Sequence, residues 1–375
     1  MTSDEPLSPT PGEGGGKGER VDEARRLSIW DITPRTTDPG SERLGDGRGM
    51  GDERGSGDQR GSGDERGLGD ERGSGDERGS GDERARRATA RREELTILYR
   101  GPLASCDYDC PYCPFAKRRD SPERLRADRA ALERFTDWAG AQEFPISVLF
   151  TPWGEGLVRS WYRRAMVELS HAPHIATVAI QTNLGTRLDW LADADPATLA
   201  LWVTYHPGQV AYARFLAKCR ELVERGTRFS VGVVGLPEHL EAARRLRADL
   251  PPSVYLWVNA AEGHSYTDGE AATWTELDPL FGFSRTPHRS LGLPCRTGHS
   301  VVSVDGDGLV RRCHFVPEAL GNLYDGTALR ALRPRPCPLA VCDCHIGYVH
   351  LEPLDLYRVF AGGVLERVPA AWPRG

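Results

Sequence analysis

From residue 95 onward, apolar runs of six to eight residues alternate with stretches whose apolar positions recur every three or four. The runs are LTILYR (95 to 100), ISVLFT (146 to 151), ATVAIQTN (176 to 183), LALWVTY (199 to 205), FSVGVVG (229 to 235) and VYLWVN (254 to 259). Each predicts a strand apolar nearly throughout, as a parallel sheet covered on both faces requires. Between them, SPERLRADRAALERFTDWA (121 to 139) opens with a serine cap, a first-turn proline and a glutamate, then spaces Leu125, Ala131, Leu132 and Phe135 helically. Further helices are expected near 158 to 170, 210 to 225 and 237 to 249. A strand-plus-helix unit needs roughly 30 residues, which suits the span from 95 to 290. The fold class expected is therefore α/β, a partial (β/α)6 barrel, with an open doubly wound sheet as the alternative. Either topology gathers the chemistry at the carboxyl ends of the strands.

Upstream the pattern vanishes. From Gly51 to Arg84 the chain repeats GDERGS with small variations, two glycines per unit and almost no apolar residue, so stacked repeats would bury nothing. Residues 1 to 92 are expected to be a disordered tail, read as repeat expansion or an over-long start; nothing favours a tethering role for its charges. The remaining boundaries are a barrel core at 93 to 290, a cysteine-rich extension at 291 to 350 and a C-terminal segment at 351 to 375.

Composition narrows the partners. The formal net charge is -6, so no basic surplus grips nucleic-acid phosphates, and AKRR at 116 to 119 is the one concentrated basic stretch in the folded part. No apolar run approaches the roughly 20 residues that cross a bilayer. MTSDEPLSPTPGEGGG lacks the basic and apolar regions of a secretory signal, which makes the cytoplasm the default location. Nine cysteines in such a chain are expected to be metal ligands or reactive thiols rather than disulfides.

Three of them, Cys106, Cys110 and Cys113, lie in CDYDCPYC, directly after the first strand. Four thiolates, or thiolates with histidines, would close a structural zinc site. Three around a four-iron cluster leave one iron open to a small molecule. The CxxxCxxC spacing, with Tyr112 before the last cysteine, resembles the signature of the radical S-adenosylmethionine superfamily. LTILYRGPLASCDYDCPYCPFAKRRDS resembles the opening of a bacterial group of that superfamily without an assigned function. The resemblance runs from about residue 95 to 350. It implies an iron–sulfur cluster whose open iron chelates S-adenosylmethionine, and hydrogen abstraction from substrate by a 5′-deoxyadenosyl radical.

The same resemblance assigns later positions. Gly154 and Glu155 in TPWGEG are similar to a GGE segment that receives the methionine amino group, with Trp153 in place of its first glycine. Thr182 and Asn183 end the third strand, where ribose contacts are expected. Gly235 and Glu238, with Val233 at the apolar position and Val231 in place of a first glycine, resemble a GxIxGxxE pattern near the adenine. Asn259 ends the sixth strand, where another nucleoside contact is expected. Glycine and asparagine also end strands simply because turns favour them.

Cys295 and Cys313 flank SVVSVDGDGLVRR, a predicted β-hairpin with its turn at DGDG, and Cys337, Cys342 and Cys344 follow. The segment from CRTGH to GNL resembles the auxiliary-cluster extension called the twitch or SPASM domain. Five cysteines fall short of the seven of a full SPASM domain, so the resemblance implies one auxiliary four-iron cluster on Cys295, Cys313, Cys337 and either Cys342 or Cys344. Zinc on CxCH at 342 to 345 with His314 is the competing reading. His314 and His345 are otherwise expected at the surface or beside ligands, and Cys219 in the core. His206 faces the expected mouth, where it could meet substrate or merely cap a loop; Tyr205, Arg100 and His264 receive no catalytic role, and Trp202 and Trp257 are expected to pack.

Three function classes follow. A radical enzyme could modify a peptide or protein, or act as a dehydrogenase on a small molecule such as an aminosugar; either needs an electron donor such as flavodoxin or ferredoxin. A metal-binding protein without catalysis is the second class, and a nucleic-acid-modifying enzyme, disfavoured by the charge, the third.

Overall fold

The computed structural model describes residues 94–115 and 119–372. The expected disordered tail at 1 to 92 and most of the basic stretch at 116 to 119 lie outside the described residues.

Six strands pair in chain order and all run parallel: β1 (Leu95–Arg100), β2 (Ile146–Phe150), β3 (Ile175–Thr182), β4 (Leu199–Thr204), β5 (Arg228–Val234) and β6 (Leu256–Asn259). After β1, β2, β4, β5 and β6 come α1 (Pro122–Gly140), α2 (Ser160–Ser170), α3 (Tyr212–Glu224), α4 (Leu240–Asp249) and α5 (Asp268–Leu277). Ser121 caps α1, accepting from the Arg124 backbone N–H, as its sequence signature requires. The β3–β4 crossover carries only a short 3₁₀ turn at Asp189–Asp193. Sequential order excludes the doubly wound alternative, which needs a reversal of strand order. The result is a partial barrel.

Alternation along the strands sorts two cores. Leu95, Ile97, Tyr99, Val148, Phe150, Val178, Ile180, Leu201, Val231 and Val233 pack against the helices. Leu98, Leu149, Ala179, Ala200, Trp202, Tyr255 and Trp257 line the concave interior. Each large aliphatic or aromatic side chain among them stabilises the fold by about 1.5–3 kcal/mol. Cys219 belongs to the helix-side core, and Trp202 and Trp257 pack edge to face with centroids 5.5 Å apart.

Short elements complete the chain: α6 (Phe281–Arg285), β7 (His288–Arg289), β8 (Pro294–Cys295), β9 (Val301–Asp305), β10 (Leu309–Arg311), β11 (Ala319–Asn322), α7 (Thr327–Ala331), β12 (Arg335–Pro336), β13 (Val341–Cys342) and α8 (Leu356–Phe360). The expected hairpin is β9–β10, its turn closed by Gly308 at φ +78°. It does not stand apart from the barrel. β9 lies parallel to β1, so the sheet has nine strands in the order β11-β10-β9-β1-β2-β3-β4-β5-β6. Val301, Val302 and Val304 are all buried, which gives β9 the two apolar faces such a position demands.

The C-terminal segment fills the interior from the amino ends of the strands. Ile346 and Leu365 join the inner core, with Trp372 packed against it. Glu366, fully buried, pairs with Arg228 at the start of β5 at 2.7 Å. Arg367 donates to the carbonyls of Val364, His345 and Ile346, and its guanidinium lies 4.6 Å over the Trp202 ring. The carboxyl mouth of the barrel is left to the loops.

Candidate functional site

The loop after β1 carries Cys106, Cys110 and Cys113 across that mouth. Its stem has irregular backbone whose N–H groups need acceptors, and two carboxylates supply them. Asp128 on α1 accepts from Leu103 N at 3.1 Å, Trp161 Nε1 at 2.7 Å and Tyr162 Oη at 3.4 Å. Burial pushes Asp128 up to about 6, against those donors. Asp120, ahead of the helix cap, accepts from Ala104 N and Ser105 N, both at 2.8 Å, and pairs with Arg124 at 3.0 Å.

Beyond the stem the loop is held from three strands. From the β2 side, Gly154 presses against it so closely that a Cβ would lie 1.9 Å from the Ser105 carbonyl oxygen, and Glu155 N donates to that same oxygen at 3.2 Å. From the end of β3, Asn183 Nδ2 donates to Asp107 Oδ1 at 2.9 Å and to Cys106 Sγ at 3.7 Å. From the loop after β4, Gln209 accepts from Asp109 N at 2.8 Å, and His206 Nδ1 meets Tyr112 Oη at 3.0 Å. Burial takes His206 down to about 4, so its ring is neutral at pH 7.

Glu155 is the hub of this arrangement. It is 3% exposed. One carboxylate oxygen accepts from Leu157 N at 2.9 Å and Thr182 Oγ1 at 2.8 Å, the other from Asn183 N at 2.7 Å. Burial raises it to about 7, and these three donors hold it back from going higher. The following turn is unusual, with Leu184 left-handed at φ 55° and fully buried. Lys218 on α3 fixes it by donating to the carbonyls of Leu184 and Thr186.

The remaining expected contacts fall into two groups. Gly154, Glu155, Thr182 and Asn183 join the cysteine loop in one hydrogen-bonded network. Gly235 and Asn259 lie on the β5–β6 side, linked by Gly235 N to Asn259 O at 2.7 Å and fixed by Tyr266, whose hydroxyl donates to Gly235 O at 2.7 Å. Val233 lies in the helix-side core at 0% exposure. At that level the strand turns Gly232 inward, where a Cβ would come 2.0 Å from the Trp257 ring.

The Cys106 thiol resists ionisation unaided. Burial pushes Cys106 up to about 12, with Asp107, Glu155 and Cys113 adding to the rise and the Tyr108 N–H opposing it. Three thiols on one loop form a soft donor set, suited to a thiophilic metal that supplies its own positive charge. Among the described residues no three His, Cys, Asp or Glu side chains are grouped so as to hold a single metal ion. A cluster differs, because its thiolates bind separate irons and need not converge. The donor set and the glycine-lined cradle at 154 fit such a group.

The second cysteine group lies beside β1. Cys295 and Cys337 pack with Leu351, and Cys342 sits at the edge of that contact. β12 pairs with β8, Arg335 opposite Cys295, which brings Cys337 alongside. Cys313 is pushed up to about 12 by burial, with Cys344 and Cys295 contributing. Cys344 instead joins the inner core next to Arg100. Arg100 is the last inward residue of β1; its Nε donates to Thr151 O at 2.8 Å and its guanidinium stacks 4.1 Å over Trp153. His314 and His345 are half-buried, each next in the chain to a cysteine of this group. Burial lowers His345 to about 4 and His314 well below its usual value, and His314 Nδ1 meets Ser303 Oγ at 2.7 Å.

Sequence reasoning missed Asp120, Asp128, Gln209, Lys218 and Tyr266. Only Asp128 carried a signal, since it falls on the apolar stripe of α1 between Leu125 and Leu132.

No family model matches the chain, and no curated protein matches it. Solved structures do. A hexahistidine-tagged anSMEcpe with bound AdoMet is 16% identical, with 64% of this chain and 80% of that chain covered and a TM-score of 0.43. Native anSMEcpe with bound AdoMet and Kp18Cys peptide is 14% identical over 64% and 81%, with a TM-score of 0.44. BtrN in complex with AdoMet and 2-DOIA is 12% identical over 63% and 81%, with a TM-score of 0.34. At these identities and scores the likeness assigns no activity to this chain.

Proposed function

We propose that this chain is a radical S-adenosylmethionine enzyme, with Cys106, Cys110 and Cys113 holding a four-iron cluster. The observation that carries the reading is a three-thiol loop at the carboxyl mouth of a partial barrel, gripped by residues from β2, β3 and β4. Held by those three thiols, a four-iron cluster would supply the one-electron reduction that cleaves S-adenosylmethionine and so makes hydrogen abstraction from a substrate possible.

The chain's own residues have defined parts. Gly154 lets backbone approach the loop where any side chain would collide. Glu155 ties the β2 loop, the β3 end and the cysteine loop into one rigid unit, so the cradle is preorganised. Gly235 and Asn259, held by Tyr266, offer backbone and amide groups to a nucleoside on the far side of the mouth. Arg100, stacked on Trp153, lies between this site and Cys344. In this reading Cys295, Cys313, Cys337 and either Cys342 or Cys344 hold an auxiliary four-iron cluster. The substrate is a peptide or protein side chain, and the reductant a small redox protein such as flavodoxin or ferredoxin.

The test is anaerobic reconstitution of the full chain with iron and sulfide, followed by a dithionite assay for 5′-deoxyadenosine. About eight irons per chain, and nucleoside formed by the parent but not by a Cys106→Ala/Cys110→Ala/Cys113→Ala variant, support the reading. Bound zinc, or no nucleoside from an intact reduced cluster, would overturn it. Turnover of a free sugar without any peptide would move the substrate to the small-molecule class.

A further inference from the structure

Asn183 does more in this structure than end a strand. Its amide nitrogen reaches both Asp107 Oδ1 at 2.9 Å and Cys106 Sγ at 3.7 Å. Its carbonyl oxygen accepts from Gly185 N at 2.7 Å, and its backbone N–H is bound to Glu155 at 2.7 Å. The side chain therefore has one orientation, with the nitrogen toward the cysteine. A second donor, Tyr108 N, meets the same sulfur at 3.5 Å. Asp107 Oδ1, 3.6 Å from Cys106 Sγ, accepts from the thiol; once that sulfur is a metal-bound thiolate with no proton to give, the same carboxylate stands against the two donors. Gly185 leaves room for it, because a Cβ there would sit 1.9 Å from Asp107 Oδ2.

We propose that Asn183 and Asp107 form an opposed pair that sets the reduction potential of the metal centre on Cys106, the amide favouring the reduced state and the carboxylate disfavouring it. The inference rests on the four-iron reading above. Adding an electron increases the negative charge on the cysteine sulfurs. An N–H donor aimed at one of them stabilises that charge, whereas an adjacent carboxylate repels it. Asn183 also satisfies Asp107, so it restrains the very group whose charge it counters. That makes it a positioning residue as well as a donor.

The experiment is a redox titration of the reconstituted full chain, followed by the electron paramagnetic resonance signal that the Cys106→Ala/Cys110→Ala/Cys113→Ala variant lacks, with iron counted for each protein. Asn183→Ala should lower the ratio of reduced to oxidised cluster about tenfold at fixed solution potential, equivalent to about 59 mV for one electron. Asn183→Ser should shift in the same direction, because its hydroxyl can still cap Gly185 N but is too short to reach Cys106. Asp107→Asn should shift the ratio the opposite way.

A merely structural role predicts otherwise. Serine would then restore the parent potential, and Asp107→Asn would not move opposite to Asn183→Ala. Either result, with iron content intact, overturns the inference. Should Asn183→Ala lose iron, the serine variant decides alone. A parent chain that binds no four-iron cluster overturns the underlying reading and the inference with it, an outcome the iron count distinguishes from an unshifted potential.

Discussion

Replacing Glu155 by glutamine removes a charge from the hub of the site without changing its shape. A carboxyl held at about 7 instead of its ordinary 4.5 corresponds to about 3 kcal/mol between its two protonation states. Because the folded-state value is raised, the folded chain keeps a proton that the unfolded chain has already lost between those two pH values. That contribution to stability is complete below about pH 4.5 and fades as pH rises through about 7. Glu155→Gln has no such titration. It also turns an amide N–H₂ toward one of the donors Leu157 N, Thr182 Oγ1 or Asn183 N, a mismatch of about 1–3 kcal/mol at every pH. The stability advantage of the parent over the variant is therefore expected to shrink by about 3 kcal/mol from about pH 4.5 to about pH 7.5. Urea unfolding of the metal-free full chain across that range measures it. Asp128 and Asp278, both raised to about 6 by burial, titrate equally in the two proteins and cancel. A difference that stays constant or grows with pH would refute the reasoning, because it would mean that three donors outweigh burial and keep Glu155 ionised.

Three further perturbations test the surrounding architecture. Gly154→Ala places a methyl 1.9 Å from the Ser105 carbonyl, so the cysteine loop must move; reconstituted iron is expected to fall by about half as the first site is lost, with the far-ultraviolet circular dichroism unchanged. Arg228→Met strips the fully buried Glu366 of its 2.7 Å partner and is expected to cost about 2–4 kcal/mol in urea unfolding. That is less than for a wholly buried pair, because Arg228 is 35% exposed; a loss below about 0.5 kcal/mol would show that the pair does not anchor the C-terminal segment. Gly232→Ala drives a methyl into the Trp257 ring at 2.0 Å and should cost about 1–3 kcal/mol, with a shift in tryptophan emission that an undisturbed Trp202–Trp257 contact would not produce.

Much of the barrel was legible because each strand is a short apolar run and each helix a periodic one. LTILYR matches β1 residue for residue, and the strand order follows from short crossovers. The placement of β9 was not legible. VVSV reads equally well as a free-standing hairpin arm, and only the exposed edge of β1 decides that it joins the barrel sheet. The C-terminal plug was hidden for a different reason. Glu366 and Arg367 look like surface charges in sequence, and their burial depends on Arg228, Ser230 and Trp202, more than 130 positions away. Within the site, the cysteine spacing pointed to the three-thiol loop, whereas nothing local announced Gln209 or Lys218, which act through loops brought together only by the curved sheet.

Asp128 and Glu155 point to a more general logic. A loop that crosses a barrel mouth has backbone N–H groups that no ladder or helix can satisfy, and burial makes each unpaired one expensive. A carboxylate accepts several such donors at once, so one acid fixed on a neighbouring element can organise a whole loop. The cost is desolvation, visible in the raised values of both groups. It is tolerable only if every oxygen finds donors, as both carboxylates do here. An acid on the apolar stripe of a helix, like Asp128 between Leu125 and Leu132, therefore marks where an irregular segment will be held. In this chain it marks the stem of the three-cysteine loop.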